Sequence, residues 1–427
     1  MPGKSSALPP ELPKNIYLTR YAWPGPAIAS LIQRNVGIIV VIPCYTEDKI
    51  VESLTCLLAC EPPVCHVEVI VVVNFGIHEA PAIKSLNRRT AEEIEQWAVS
   101  HQTDRITVHI IRAFDLPEKH AGVGLARKIG MDEAVRRFEL LQNRQGIIVC
   151  FDADCLCSTN YLPEIERFYH DNPKANCALV DFEHNLSTIE NVRNRNAIIN
   201  YELHLRFYVQ ALKYANFPYA FHTIGSCITL KSTVYQKQGG MNLRKAGEDF
   251  YFLQKLFPLG DIYNLTSATV YPSARPSHRV PFGTGRSILE LLEAKQDESY
   301  FTYHPEIFME LKQFCNVVPL LWEHCNTKFL DSQGSAMRDY LSSISFFEKA
   351  EKIQRNASGE KQFIRSFYAW FNGFLVLKFV HFAREHYYGN MEIMEACSWI
   401  LSKKVAHPIP KEKESMLNLL RSLDRLE

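Results

Sequence analysis

A chain of 427 residues is longer than one ordinary small domain, so two domains are expected. Its 47 basic residues balance 47 acidic ones, which excludes general nucleic-acid binding through bulk charge and leaves any anionic ligand to local groups. Twelve cysteines, mostly in apolar segments of a long chain, point to reduced structural thiols and exclude a small disulfide-stapled fold.

The opening MPGKSSALPPELPK lacks the apolar core of a signal peptide, and no apolar run is long enough to span a bilayer. A cytoplasmic protein is expected, soluble or peripheral to the inner face of a membrane. Residues 1–35 carry Pro9, Pro10, Pro13, Pro24 and Pro26 and read as an extended arm. Val36–Ile42 is the first buried strand, stopping at Pro43, and Ile50, Leu54, Leu57 and Leu58 mark the helix after it. Val67–Val73 is a second buried strand ending at Asn74, and Ile106–Ile111 a third, more polar and nearer an edge. Strands alternating with helices imply an α/β fold with a doubly wound, mostly parallel sheet.

Glu118–Arg127, EKHAGVGLAR, reads either as a glycine-rich turn or as a phosphate cradle with Lys119 and Arg127 as counter-charges. Gly146–Cys155, GIIVCFDADC, is a short buried strand running into Asp152 and Asp154. Two carboxylates at the carboxyl end of such a strand sit where open α/β sheets bind ligands, and hard oxygens suit Mg2+ or Mn2+ bridged to phosphate. The plainer reading is that Asp154 caps a helix.

Ser187–Ala215 reads as one long helix opened by a Ser187/Glu190 capping box, with His204 on it as packing or surface and not a ligand. Tyr219–Leu230 reads as a strand interrupted at Gly225, and Gly247-Glu248-Asp249 opens a helix. Tyr271–Arg286 has three prolines, two glycines and Arg275, Arg279 and Arg286, with His278 among them, and reads as a lid or a linker. From Ser287 the pattern is helical throughout, giving a catalytic domain over 36–286 and a helical C-terminal region over 287–427. The aromatic and basic stretch Phe363–Tyr388 suits core packing or a homodimer contact better than a membrane surface.

The ordered series VVIPCYTED, VVVN, GVGLARKIGMDEA, CFDADC and AGEDFYFL resembles the family 2 glycosyltransferases, which carry the glycosyltransferase-A fold and invert at the anomeric carbon. By that resemblance Pro43, Tyr45, Glu47, Asn74, Arg127 and Asp152 meet a nucleotide, with UDP-sugar the favoured donor. Thr46 stands where the family prefers Asn, and Asn74 where it commonly has Asp. Asp152 and Asp154 match the metal motif and His278 a further metal or diphosphate contact, with Arg275 and Arg279 beside the diphosphate. Glu248 and Asp249 match the motif whose Asp serves as general base, and helix geometry lets only one face an acceptor. The resemblance thus implies an Mn2+- or Mg2+-dependent transfer to a glycan or lipid-linked acceptor, in surface polysaccharide or glycoconjugate synthesis. A nucleotidyltransferase is the alternative enzyme, although it calls for a glycine-rich basic loop where this chain has PCYTED. A catalytically silent nucleotide-sugar-binding module is the non-enzymatic alternative.

Overall fold

The computed structural model describes residues 15–276, 284–293, 299–325, 328–406 and 408–426. The chain divides into two compact units. The first comprises 1–182, 224–252 and 261–272, and the second 183–223, 253–260 and 273–427. The sequence boundary at 286 did not anticipate that residues 183–223 group with the C-terminal helices.

The first unit is built on an eight-stranded sheet: β1 (Val36–Cys44), β2 (His66–Gly76), β3 (Ile106–Leu116), β4 (Ile147–Cys150), β5 (Leu156–Cys157), β6 (Cys177–Phe182), β7 (Ile228–Lys231) and β8 (Ile262–Tyr271). Their order is β3-β2-β1-β4-β7-β6-β8-β5. The pairs β1–β2, β1–β4, β2–β3 and β6–β8 are parallel, while β4–β7, β6–β7 and β5–β8 are antiparallel. The sheet is therefore mixed, mostly parallel on the β3-to-β4 side, as the α/β reading expects of a glycosyltransferase-A architecture. Continuous β-branched runs build β1 and β2, whose apolar side chains are wholly buried, as strands covered on both faces require. β3 is an edge strand, as its polar alternation suggests.

The helices of the first two-thirds of the chain are α1 (Ile16–Arg20), α2 (Ile50–Leu58), α3 (Pro81–His101), α4 (Val123–Leu140), α5 (Tyr161–Asp171), α6 (Val192–Tyr214), α7 (Ser232–Lys237) and α8 (Glu248–Leu256). α6 belongs to the second unit and α8 begins in the first.

Several expectations are corrected. β1 runs through Pro43 to Cys44, and β4 pairs only as far as Val41, so no ladder partner on that flank needs the missing N–H. The arm is not simply extended: α1 forms, and Tyr17 is buried with its hydroxyl donating to Asp132 at 2.5 Å. Asn191, not Ser187, caps α6, accepting from the amides of Arg193 and Asn194 at 2.9 and 3.1 Å. Tyr219–Ile224 is not strand, and β7 begins only at Ile228.

The second unit packs α6 with the C-terminal helices around Leu203, Phe207, Phe308, Phe314, Phe367 and Phe371. Phe363, Phe367, Tyr368, Phe371 and Phe379 of the Phe363–Tyr388 stretch thus enter a core, as the packing alternative expects. Two three-residue strands, β9 (Phe301–Tyr303) and β10 (Asn390–Glu392), pair antiparallel in this otherwise helical unit. His204 is packing: its ring lies against Tyr303, and burial pushes its pKa down to about 4. No described helix is long and apolar enough to cross a membrane.

Candidate active site

The carboxyl ends of β1 and β2 are held by side-chain amides. Asn74 is buried, and its Nδ2 donates to the Cys44 carbonyl at 3.0 Å. The chain then turns through Thr46 at φ 49°, a left-handed conformation that a β-branched residue adopts only when held there. Asn87 of α3, wholly buried, does the holding, since its Oδ1 accepts the Thr46 amide at 3.0 Å. Glu47 is buried in the same turn, its Oε1 accepting from the Lys49 amide at 3.0 Å, and Tyr45 is half-buried. Asn87 was not foreseen. Its only signal was an amide on a helix face that otherwise reads as small and apolar.

The glycine-rich turn does not line a ligand-facing cradle. A Cβ on Gly124 would lie 2.2 Å from the Arg244 carbonyl and 2.8 Å from that of Asn242, and one on Gly122 would lie 3.0 Å from the Lys245 Cα. These glycines let backbone approach backbone, seating the segment that leads into α8 on the start of α4. Lys119 is exposed.

That contact sets the geometry of the acidic residues. Arg127, one turn into α4, is 2% exposed; its Nη2 donates to Asp152 Oδ1 at 2.6 Å, and its Nη1 lies 3.4 Å from Glu248 Oε1. Gly225 is what makes room, because a Cβ there would stand 2.4 Å from Arg127 Nη1 and 3.1 Å from Asp249 Oδ2. The structure therefore brings Arg127, Asp152, Glu248 and Asp249 together from three segments distant in sequence. Arg127 Nε and Nη1 make no hydrogen bond to a described residue.

One guanidinium faces more than one carboxylate in a buried place, which is electrostatically costly if all are ionised. The cost is relieved by proton uptake. Burial pushes Glu248 up to about 7, Arg127 opposing and the neighbouring Asp249 adding to it. Burial likewise raises Asp249, against the pull of Arg127. Asp249 is the more open of the two, and its Oδ1 accepts the Phe250 amide at 2.7 Å.

Asp154 is half-buried in the loop between β4 and β5 and is not a cap, since the residue preceding α5 is Asn160. No group of three or more His, Cys, Asp or Glu among the described residues forms a ready metal cage. Arg275 lies in the second unit, its amide donating to the Ser273 hydroxyl at 3.4 Å. His278 and Arg279, with the 277–283 stretch of the expected lid, lie outside the described residues.

Residues 39–238 match the family model described as Glycosyl transferase family 2. Among solved structures the chain is similar to S. aureus TarS 1-349 in complex with UDP-GlcNAc, at 13% identity and a TM-score of 0.40, over 73% of this chain and 88% of that one. It is similar also to S. aureus TarS 1-349 in complex with UDP, at 15% identity and a TM-score of 0.38, over 82% and 87%. No curated protein matches the chain by sequence. The family match spans β1 to β7 and takes in Arg127, Asp152 and Gly225, so this part of the chain is a glycosyltransferase family 2 domain.

Proposed function

We propose that this enzyme moves a sugar, with inversion, from a nucleoside diphosphate donor to a glycan or lipid-linked hydroxyl, in surface polysaccharide or glycoconjugate synthesis. The observation that carries the reading is Arg127, buried between the aspartate that ends β4 and the acidic pair that opens α8. Asp249 takes the acceptor proton: it is the more open carboxylate of the pair, and burial raises its pKa toward the range where a base works near neutral pH. Glu248, buried against Arg127, positions and tunes it.

Asp152 and Asp154 fit Mg2+ or Mn2+ by chemistry, because such ions bind through one or two carboxylates and fill their remaining positions with substrate phosphate and water. When bound, the ion would neutralise charge growing on the departing diphosphate. Arg127 fixes the Asp152 carboxylate in place, while Asn87 and Asn74 hold the Tyr45–Glu47 turn at the nucleotide end. UDP is the favoured carrier.

The test measures donor affinity by calorimetry beside kcat. Asp249→Asn is expected to keep donor affinity while lowering kcat by ~10²–10⁴-fold, the usual worth of a general base. Glu248→Gln is expected to lose less. A fully active Asp249→Asn would place the base elsewhere. Thermal-shift screening of UDP-, GDP- and dTDP-sugars, with and without Mn2+, identifies the carrier, since a ligand at a hundred times its Kd adds about 2.7 kcal/mol. Loss of the Mn2+-dependent shift in Asp154→Ala would support the metal assignment, and its persistence would reject it.

A further inference from the structure

Three thiols meet behind the Asp152–Asp154 loop. Cys157 of β5 lies with its Sγ 3.8 Å from that of Cys56 on α2 and 3.7 Å from that of Cys60 just beyond it. All are free thiols; Cys56 is half-buried, and Cys60 and Cys157 are buried. The Cys157 amide donates to Cys56 Sγ at 3.3 Å. The same helix is tied to the acidic loop, because the Ser53 hydroxyl donates to the Ala153 carbonyl at 2.9 Å.

We propose that this trio is a reversible peroxide-oxidation site, with Cys56 the reacting thiol and Cys157 the resolving one. Cys56 is the member solvent reaches, and it has both a hydrogen-bond donor for its thiolate and a second sulfur in van der Waals contact, the arrangement of redox-sensing cysteines. Its position at the end of α2 disfavours negative charge. The hydrogen bond from the Cys157 thiol outweighs that and the effect of burial, bringing Cys56 down to about 6, while the same bonding raises Cys157.

The Cys56 thiolate attacks a peroxide oxygen; the O–O bond breaks, giving the sulfenic acid and a hydroxide that takes up a proton as water. The Cys157 sulfur then attacks Cys56, the S–O bond breaks, and a second water leaves with the Cys157 proton. Two thiols supply the two electrons that reduce one hydrogen peroxide to two waters. Bringing the sulfurs from 3.8 Å to bonding distance, about 2.05 Å, draws β5 and α2 together. Cys60 stands ready to exchange onto Cys157. Since no group of three described residues is arranged to hold a metal ion, oxidation is a better use of the trio than zinc binding.

The test treats the wild-type protein with stoichiometric hydrogen peroxide, blocks remaining thiols, and maps peptides without reduction. A Cys56–Cys157 cross-link, removed by dithiothreitol, is expected, and Cys157→Ser should instead leave Cys56 as a sulfenic acid trapped by dimedone. Wild-type protein that gains no cross-link, or that binds stoichiometric zinc when purified, overturns the proposal. Any change in nucleotide-sugar turnover on oxidation rests on the donor-site reading; the cross-link is independent of it.

Discussion

Two buried ionic clusters, one in each unit, are solved in opposite ways. In the second unit Glu202 of α6 accepts from Arg206 Nε at 2.9 Å, from Arg421 Nε and Nη2 at 2.7 and 2.8 Å, and from His184 Nδ1 at 2.9 Å. Asp424 accepts from Arg206 Nη1 at 2.5 Å, Gln210 Nε2 at 2.7 Å and His222 Nε2 at 3.0 Å. Donors there are plentiful. Burial alone would raise both carboxylates, but Arg421 and His184 hold Glu202 well below its usual range, and His222 and Arg206 do the same for Asp424. In the first unit Arg127 must serve Asp152, Glu248 and Asp249, and burial wins. A saturated cluster fastens a fold; an undersupplied one stores a proton where chemistry can use it.

The signs of the two linkages differ accordingly. Carboxylates held low contribute stability that is present above their unfolded pKa and lost as pH falls through the folded one. Glu248, held high, contributes stability that is full below its unfolded pKa and lost as pH rises through about 7.

The sharpest way to break the comparison is Arg421→Met. It strands buried Glu202 and should cost about 3–5 kcal/mol in denaturant unfolding, with turnover per folded molecule unchanged. Arg127→Met should cost less, about 3 kcal/mol at pH 8, because Glu248 can escape by protonation. Since folding would then take up a proton, the cost should shrink by up to about 1.4 kcal/mol per pH unit toward pH 6. A pH-independent cost in Arg127→Met would make the two clusters alike. The third variant, Glu248→Gln, removes the titrating group itself. Its stability should lack the wild-type decline between about pH 4.5 and pH 7, a difference on the order of 1 kcal/mol or more. Matching profiles for variant and wild type would show that Glu248 does not carry the proton.

Much of this was legible in the sequence for physical reasons. β1, β2 and β4 announce themselves because a strand covered on both faces must be apolar at every position. Asp152 and the Glu248–Asp249 pair stand out as acids at the ends of buried elements. The antiparallel β5 and β7, of two and four residues, have too little pattern to give direction. α4 was the least legible: its sequence is rich in charge, yet Arg127, Lys128, Asp132, Glu133, Arg136 and Arg137 are all buried. Lys128 pairs with Asp132 and Arg136 with Glu133 within the helix, but further partners come from far away. The Trp23 amide donates to Asp132 and the Ala27 amide to Glu133, and both Arg137 and Glu68 are satisfied by each other across the sheet. Nothing in the local spacing distinguishes Arg127, which faces the acids, from Arg137, which faces a structural glutamate.

The mildest contrast comes from a pair that is neither saturated nor starved, merely wet. Arg112 on the edge strand β3 meets Glu95 of α3 through two hydrogen bonds, Nε to Oε1 at 3.0 Å and Nη2 to Oε2 at 2.6 Å. Its geometry is as good as any in the second unit, but the two side chains remain 42% and 43% exposed. Water already solvates both charges in the unfolded chain and still reaches them when folded, so little desolvation is repaid and salt screens the rest. Arg112→Ala is therefore expected to cost below about 1 kcal/mol, and less again when ionic strength is raised. Unfolding of this variant and of Arg421→Met at low and high salt separates the two cases. Equal losses at both sites would mean that bond geometry, not burial and donor supply, sets the worth of these clusters, and the contrast between the units would fall with it.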